Sequence, residues 1–334
     1  MRKAALLILI FFSTLGCVFA QQKADIEKER TEKVPENVET FKNVFFFRPK
    51  VISMGSALRI ISKEDESHNF LWRTYTPLVA GFSLKIKKFV FGIALKLPSS
   101  PAMDAKYIKT NFQDININIQ SRIVGMHFYF NHYRGFFLAE PNLDIPEWKG
   151  GDEYPLRKKT ELYNAGLNLI FQTTKNFSMN AAFAQSERQK KSKGSFLMLI
   201  APRYTRLTTD STLVPSAYKE ELPYTSLLTR ASFVTVTTGV GYGYSLIGLN
   251  GRFNFTHVVL GGSGLQVGNY TLETDKRAKI RFPLFGQARV SMGLNGDHFF
   301  GNIIGIADVN TFALRDSKMR FVRYGIELGV GMRF

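Results

Sequence analysis

The carboxyl-terminal segment 319–334 constrains the fold of this chain more than any other feature. A period of two runs through it, as in a β-strand whose side chains point alternately to two faces. The even positions form an unbroken apolar face, made of Val322, Tyr324, Ile326, Leu328, Val330, Met332 and Phe334. The odd positions are polar or small, namely Arg323, Gly325, Glu327, Gly329, Gly331 and Arg333. The segment therefore predicts a strand with one apolar and one polar face.

The same alternation recurs along the chain, and no helical pattern of comparable strength interrupts it. In 111–120, for example, Ile115, Ile117 and Ile119 point to one side, opposite Asp114 and three amide side chains. The other alternating segments are 78–86, 89–97, 123–133, 163–172, 177–186, 233–246 and 284–292. Repeated strands of this kind predict an all-β chain.

The connections between these segments come in two lengths. Short turns alternating with long loops are typical of outer-membrane barrels. A water-soluble β-sandwich also alternates. However, the polar faces carry Asn, Ser, Gly, Tyr and Gln, with few of the Lys and Glu that solubilise an exposed sheet, which favours a wet lumen. Short turns are expected at 87–88, 121–122, 174–176, 248–251 and 294–296, and long loops at 98–108, 134–160, 188–194, 208–230, 261–280 and 312–318.

Composition and strand count refine this prediction. Hydrophobic residues make up 45% of the chain, yet past residue 20 no stretch approaches the roughly 18 apolar residues that a membrane helix needs. We therefore predict that residues 44–334 form a transmembrane antiparallel β-barrel, closed by the carboxyl-terminal strand. About thirteen candidate strands are visible, and single-chain bacterial barrels have an even number, so we expect about twelve strands, with ten and fourteen as alternatives.

The amino terminus has the features of a secretion signal. Two basic residues precede an apolar run, and a small-residue cleavage site ends at Ala20. We expect residues 1–20 to be removed as a signal peptide, with a lipoprotein acylated at Cys17 as the alternative. Residues 21–43 are dense in charges of both signs and are interpreted as a polar periplasmic lead-in. These features predict localisation in the bacterial outer membrane.

The residue inventory also limits the chemistry. Cys17 is the only cysteine, so a mature chain would have no disulfide, thiolate metal site or cysteine nucleophile. The five histidines form no recognisable ligand set, and we expect no metal, cofactor or catalytic residue. A formal net charge of +17 favours contact with anionic lipid or lipopolysaccharide. No motif supports a nucleic-acid partner.

Two sets of charged residues are candidate functional residues. A basic loop either contacts anions such as lipopolysaccharide or is simply a solvated turn. Isolated charges on polar strand faces are expected to line the lumen, where they form ion pairs or a pore constriction. The loop residues are Arg188, Lys190, Lys191 and Lys193, and the lumen residues are Asp114, Arg323, Glu327 and Arg333.

Two sequence motifs resemble those of an uncharacterised bacteroidete family. One runs Tyr133-Arg134-Gly135-Phe136-Phe137-Leu138 and is followed by Tyr154-Pro155-Leu156-Arg157. The other is NAAFAQSERQKKSKGSFL at 180–197, continuing through DSTLVP at 210–215. Over nearly all of its mature length the chain is similar to this family, catalogued as domain of unknown function 4421. The resemblance implies an outer-membrane barrel-like protein and assigns no activity.

These observations predict a non-enzymatic outer-membrane protein, either a narrow pore or a structural or accessory barrel. The sequence does not specify a substrate, selectivity or protein partner. The alternative is an outer-membrane enzyme acting on lipid or lipopolysaccharide, for which His127, Asn131 and Ser186 would have to converge at one lip of the barrel. A soluble periplasmic β-protein is a third interpretation, and it predicts fractionation without detergent.

The terminal aromatic residue provides a test of insertion. The strand ending at Phe334 resembles the insertion signal of outer-membrane proteins, which the barrel-assembly machinery recognises. An apolar edge strand must find a partner, because unpaired backbone groups in lipid are very costly. We expect deletion of Phe334, or Phe334→Asp, to block assembly, measured as loss of folded protein from outer-membrane fractions. Normal membrane levels of such a variant would contradict the prediction.

Overall fold

Strands dominate the computed structural model, which describes residues 35–41, 45–86, 89–99, 101, 107–139, 154–272 and 276–334. The strands are β1 Val38–Thr40, β2 Phe46–Ser62, β3 Asn69–Arg73, β4 Val79–Ile86, β5 Phe89–Lys96, β6 Asn111–Gln120, β7 Val124–Ala139, β8 Leu156–Gln172, β9 Glu187–Gln189, β10 Lys193–Thr208, β11 Leu228–Gly248, β12 Phe253–Leu272, β13 Lys276–Arg281, β14 Leu284–Asn295, β15 Phe299–Ala313 and β16 Ser317–Arg333. Short helical turns occupy Asn180–Ala184, Ser216–Tyr218, Pro223–Ser226 and Leu249–Gly251. Among the described residues no helix has the length and apolar character to cross a membrane.

Ten of these strands join into a closed antiparallel ring. Its order is β2, β3, β7, β8, β10, β11, β12, β14, β15 and β16, and β16 pairs with β2 to complete it. The closing register runs from Ser317 opposite Ser62 to Arg333 opposite Phe46. We call the end with Arg333 the terminal end and the opposite end the loop end. The predicted barrel closed by its carboxyl-terminal strand is confirmed, and its ring has ten strands, an alternative to the twelve that were expected.

Further strands extend the wall beyond this ring. β4 pairs with residues 46–52 of β2, and β5 pairs with β4. β6 pairs with residues 125–134 of β7. These three strands therefore lie in the terminal half of the wall, whereas the five-residue β3 joins β2 to β7 near the loop end. β13 pairs with the loop end of β12, and β1 pairs with β9 in a separate two-stranded sheet.

The wall reverses the arrangement of a water-soluble sheet, with apolar side chains outside and polar ones inside. Outward side chains of β10 and β11 include Phe196 and Val240, which are 68% and 70% exposed. Inward side chains of the same strands include Thr205 and Thr237, which are buried. β16 follows the same rule, because its even-numbered apolar residues from 324 to 330 are exposed. An apolar exterior around a polar interior suits a surface that faces lipid.

Residues 209–227, between β10 and β11, fold back into the barrel and fill its loop end. We call this segment the loop-end plug. Trp72 is buried against it, and Trp72 Nε1 donates a hydrogen bond to the carbonyl oxygen of Leu213 at 3.0 Å. The plug thus converts the loop end of the lumen into an apolar core. Buried side chains of the plug and wall that meet here include Leu213, Val214, Leu222, Leu58, Phe70, Leu138, Leu162, Phe233, Phe312 and Phe321.

Polar contacts at the rim hold the same plug in place. Asp316, in the turn before β16, accepts hydrogen bonds from the backbone nitrogens of Tyr224 and Thr225 at 2.8 and 3.0 Å. Nδ1 of His68 lies 2.7 Å from a carboxylate oxygen of Glu221. The two bonds to Asp316 satisfy backbone nitrogens at the start of the short helical turn, which would otherwise lack partners.

The prediction of a strand at 177–186 is wrong. This segment enters the terminal end of the barrel and contains one turn of π-helix, Asn180–Ala184. Ser178 accepts a hydrogen bond from the backbone nitrogen of Ala181 at 3.0 Å, so a local bond replaces a strand ladder. Phe177 and Ala182 are both buried, which shows that this segment has no solvated face. We call residues 177–189 the terminal plug.

Two expected long loops are shorter, because strands continue into them. Within 134–160, β7 runs on to Ala139 and β8 starts at Leu156. A register shift at Gly135, where φ is +93°, reverses the alternation while pairing continues. Within 261–280, β12 extends to Leu272 and β13 follows. Glycines in this part of β12 carry no side chain and so hide the period of two.

The amino-terminal predictions are only partly visible in the structure. The expected signal peptide, residues 1–20, lies outside the described residues, as do residues 21–34. Within the expected polar lead-in of residues 21–43, β1 is not solvated as a whole. It pairs with β9 of the terminal plug, and Val38 is buried. Backbone pairing outweighs the high charge content of the segment at this point.

The contact between Trp72 and the loop-end plug provides a test of this packing. We expect Trp72→Ala to lower the free energy of unfolding by about 3–5 kcal/mol, because it leaves a cavity and removes the hydrogen bond to Leu213. Urea unfolding in phospholipid vesicles, followed by intrinsic tyrosine fluorescence, measures the change. Val240→Ala, on the outer surface, is the matched control and should change stability little. Equal stability of both variants would contradict the packing described here.

Candidate functional site

A layer of paired charges crosses the middle of the lumen. Arg323 of β16 lies 3.0 Å from Asp114 of β6 and 3.3 Å from Asp308 of β15. Arg289 of β14 lies 2.8 Å from the same Asp308. All four side chains are largely buried. Inward positions on strands that are distant in sequence thus form one connected network, which we call the central layer.

Neutral and cationic side chains complete the central layer. Asn131 Nδ2 donates to Asp114 at 2.8 Å, and Gln287 Nε2 donates to Asp308 at 2.9 Å. Arg203 of β10 donates through Nε to the hydroxyl of Tyr129 at 2.7 Å and through Nη1 to Asn310 Oδ1. The two carboxylates are therefore surrounded by hydrogen-bond donors, as buried charges must be.

The space left within the central layer is small. A cavity of about 10 Å³ is lined by residues that include His127, Asn164, Asn168 and Phe285. This is about the room that one water molecule requires. A hydrated ion does not fit in this cavity. The side chains of the central layer are therefore closely packed around it.

A second charged cluster lies nearer to the terminal end. Arg48 of β2 lies 2.6 Å from Glu327 of β16 and donates to Asn302 Oδ1 at 2.6 Å. Lys50 lies 3.2 Å from the other carboxylate oxygen of Glu327. The carboxylate of Glu327 thus pairs with two cations, so the cluster has a net positive charge.

The terminal plug lies in the terminal end of the lumen and is hydrogen-bonded to the wall. The backbone oxygen of Ala182 accepts a hydrogen bond from Ser291 Oγ at 2.7 Å. Asn295 Nδ2 donates to the backbone oxygen of Glu187 at 2.8 Å. Arg333 of β16 donates to the backbone oxygen of Gln185, and it also donates to Asn295 Oδ1 at 2.7 Å. Side chains of the wall therefore bind the backbone of the plug at three positions.

The four residues of the predicted basic loop have two different environments, one buried and one exposed. Arg188 is buried and lies 2.6 Å from Asp297 and 3.2 Å from Glu39, so it fastens β1 and the terminal plug to a turn of the wall. Its hydrogen bond to Asp297 lowers the pKa of that carboxyl group below the ordinary value. Three lysines of the same loop are exposed at the terminal end, namely Lys190, Lys191 and Lys193. Contact of these lysines with anions stays a prediction.

The predicted lumen charges lie in three places rather than at one constriction. Asp114 and Arg323 belong to the central layer, Glu327 belongs to the second cluster, and Arg333 of β16 contacts the terminal plug. Five further charged residues of the lumen were not predicted from the sequence, namely Arg48, Lys50, Arg203, Arg289 and Asp308. The signal that could have found them is a single charge at an inward position of an alternating strand.

The residues considered for catalysis do not converge among the described residues. His127 Nε2 lies 3.0 Å from Asn116 Oδ1, and Asn131 donates to Asp114. Ser186 belongs to the terminal plug, and no hydrogen bond of the described part of the chain joins it to the other two. No group of described His, Cys, Asp or Glu residues could hold a metal ion.

Removal of Arg323 tests the central layer. We expect Arg323→Gln to lower the free energy of unfolding by about 3–5 kcal/mol, because Asp114 and Asp308 lose a buried partner. Asp114→Asn in the same background should restore part of the loss. Lys318→Gln, which removes an exposed pair with Glu66, is the control and should cost less than about 1 kcal/mol. Equal losses for Arg323→Gln and Lys318→Gln in urea unfolding would contradict the network.

Solved structures similar to this chain are outer-membrane barrels. The outer-membrane protease OmpT from Escherichia coli is 6% identical with a TM-score of 0.40, and the alignment covers 90% of this chain and 99% of that chain. Ail of Yersinia pestis is 14% identical with a TM-score of 0.24, covering 62% and 96%. The toluene transporter TodX of Pseudomonas putida is 8% identical with a TM-score of 0.26, covering 90% and 89%. At these values the likenesses carry no argument about activity.

Comparison with known sequences gives a family and no activity. No curated protein matches this chain. The family described as "Domain of unknown function (DUF4421)" matches residues 37–334. This range includes the whole ring as well as both plugs, so the sequence family and the barrel coincide. The chain belongs to the DUF4421 family, a family of outer-membrane barrel-like proteins whose function is unknown.

Proposed function

We propose that this chain is a non-enzymatic protein of the bacterial outer membrane with a structural or accessory role, and that its lumen does not conduct ions along the barrel axis in this conformation. The observation that carries the proposal is the filling of the lumen by three layers. These are the apolar loop-end plug, the central layer of ion pairs and the terminal plug. A resting pore of ordinary conductance needs a continuous aqueous path, which these layers interrupt.

The proposed location rests on the surface of the ring. Its outward side chains are mainly apolar over residues 196–204 of β10, 234–246 of β11 and 324–332 of β16, and β16 pairs with β2 to close the ring. The first twenty residues supply the expected export signal. We place the terminal end on the periplasmic side, since short periplasmic turns and long external connections are usual in such barrels.

This orientation makes specific proposals for the partners. The outer surface contacts membrane lipid, and the strand ending at Phe334 is presented to the barrel-assembly machinery. Lys190, Lys191 and Lys193 lie at the terminal end, so the anions that they meet would be headgroups of the periplasmic leaflet. Lipopolysaccharide, in the external leaflet, would meet the loop end instead.

Planar-bilayer recording tests the closed lumen. The full chain, reconstituted at single-barrel density, should give no reproducible conductance steps, because the two plugs and the central layer of ion pairs occupy the lumen. An open porin in the same lipid is the positive control. Heat-modifiable migration in electrophoresis verifies that the protein is folded. Reproducible steps from the folded protein would overturn the proposal in favour of a narrow pore.

The enzymatic alternative gives a different result in a parallel assay. The folded protein is incubated with phospholipid and with lipopolysaccharide, and released fatty acid is measured. Our proposal predicts no turnover above that of the Arg323→Gln variant, which perturbs the lumen interior. Turnover by the wild-type chain that Ser186→Ala abolishes would support the lipid-active enzyme instead.

A further inference from the structure

The wall of the barrel contains a seam between β5 and β6. β5 pairs with β4, and β6 pairs with β7, but within the described residues no backbone hydrogen bond joins β5 to β6. The seam lies in the terminal half of the wall, below the point where β3 links β2 to β7. Every other neighbouring pair of wall strands in the described ring is hydrogen-bonded. At the seam, the lumen is therefore accessible laterally from the surrounding medium.

Exposure on both faces indicates that the seam is open. Outward residues on its two sides, Leu95 of β5 and Ile117 of β6, are 72% and 55% exposed. The inward residues Ala94 and Asn118 are also exposed. In paired strands the inward residues are buried, as for Thr237. Access from both faces is what an unpaired edge produces.

Cations face the seam from the inside. Lys96 of β5 spans the seam at the end nearer to the loop end of the barrel. Its Nζ donates to Asn111 Oδ1 of β6 at 3.3 Å and lies 4.4 Å from the centre of the Phe112 ring. Lys50 lies against the inner face of β5, since a Cβ at Gly92 would be 3.8 Å from its Nζ. The carboxylate near Lys50, Glu327, is shared with a second cation, Arg48. The inner side of the seam thus has an excess of positive charge.

We infer that the seam binds one anionic phospholipid of the surrounding leaflet, with its phosphate towards Lys50 and Lys96 and its acyl chains along the apolar outer side. Charge complementarity supports this occupant, because the inner side is cationic and polar. The outer side offers exposed aliphatic groups, including Ile93 and Ile115. Headgroup oxygens also accept hydrogen bonds from edge backbone nitrogens, which lipid chains cannot do.

The inference rests on the proposed membrane location and not on the closed lumen. Its test therefore measures lipid retention and not conductance. A barrel that conducts ions would overturn the closed lumen and leave the lipid site standing. A barrel that conducts no ions and retains no anionic lipid would overturn the lipid site and leave the closed lumen standing.

Lipid retention by the purified full chain tests the site directly. The protein in detergent is equilibrated with equal amounts of phosphatidylglycerol and phosphatidylcholine of matched acyl chains, and native mass spectrometry counts the bound lipid. We expect one retained phosphatidylglycerol and a roughly fivefold loss of retention for each of Lys50→Gln and Lys96→Gln. Lys318→Gln, an exposed lysine at the loop end, is the control and should retain lipid as the wild type does.

Three outcomes of this experiment would overturn the proposal. They are equal retention of the two lipids, unchanged retention in folded Lys50→Gln and Lys96→Gln, and a preference for free fatty acid added in competition. Heat-modifiable migration shows for each variant that the barrel is folded. If Lys50→Gln does not fold, Lys96→Gln alone decides, because Lys96 makes no ion pair among the described residues.

Cysteine labelling locates the lipid. Asn118→Cys and Thr237→Cys, each in a chain with Cys17 replaced by serine, place a thiol on the inner face of the seam or of the paired wall. Vesicles contain an anionic phospholipid with a maleimide headgroup. We expect the thiol at position 118 to react and the one at 237 not to react. Equal reaction at both positions, or none at 118, would overturn the site.

Discussion

The pairing of backbone groups around a closed ring is the constraint on which the rest of this structure depends. In a medium without water, an unpaired amide or carbonyl group has a high free energy, so the wall must satisfy its own backbone. The β2–β16 register achieves this by joining the two ends of the sheet. Closure also fixes which residues point inward, because side chains alternate along each strand. The inward charged residues then pair with neighbours on adjacent strands or, as Asp114 and Arg323 do, across the lumen.

The arrangement of charged side chains in the lumen follows from the need of each inward charge for a partner. Arg323, Asp114 and Asp308 satisfy one another in the middle of the lumen, and Arg48 and Lys50 share Glu327 nearer to the terminal end. The plugs fill the two ends in different ways. The loop-end plug contributes to a large apolar core, whereas the terminal plug combines a smaller apolar cluster with hydrogen bonds from wall side chains to its backbone. An occluded barrel of this kind fits a structural or accessory role better than free diffusion through a pore.

Much of the fold could be predicted from the sequence, because alternation reports directly which face of a strand is apolar. The faces of β6, β11 and β16 were predicted in this way, as was closure by the last strand. The terminal plug could not be predicted, because its apolar residues have the alternating spacing of a β-strand, although Ser178 starts a helical turn. These apolar residues are Phe177, Met179, Ala181 and Phe183. The central layer was only half predicted. Its members lie far apart in sequence, and pairing across a lumen depends on strand register, which alternation does not specify.

The barrel combines a ring closed at β2–β16 with a seam between β5 and β6, and amide hydrogen exchange on the protein in phospholipid vesicles tests both features together. Amides of β16 that face β2 should exchange slowly, since opening them requires the barrel to unfold. Amides of β5 and β6 that face the seam should exchange orders of magnitude faster in the same sample. Equal protection of the seam and the closing pair would contradict the account, as would rapid exchange along β16.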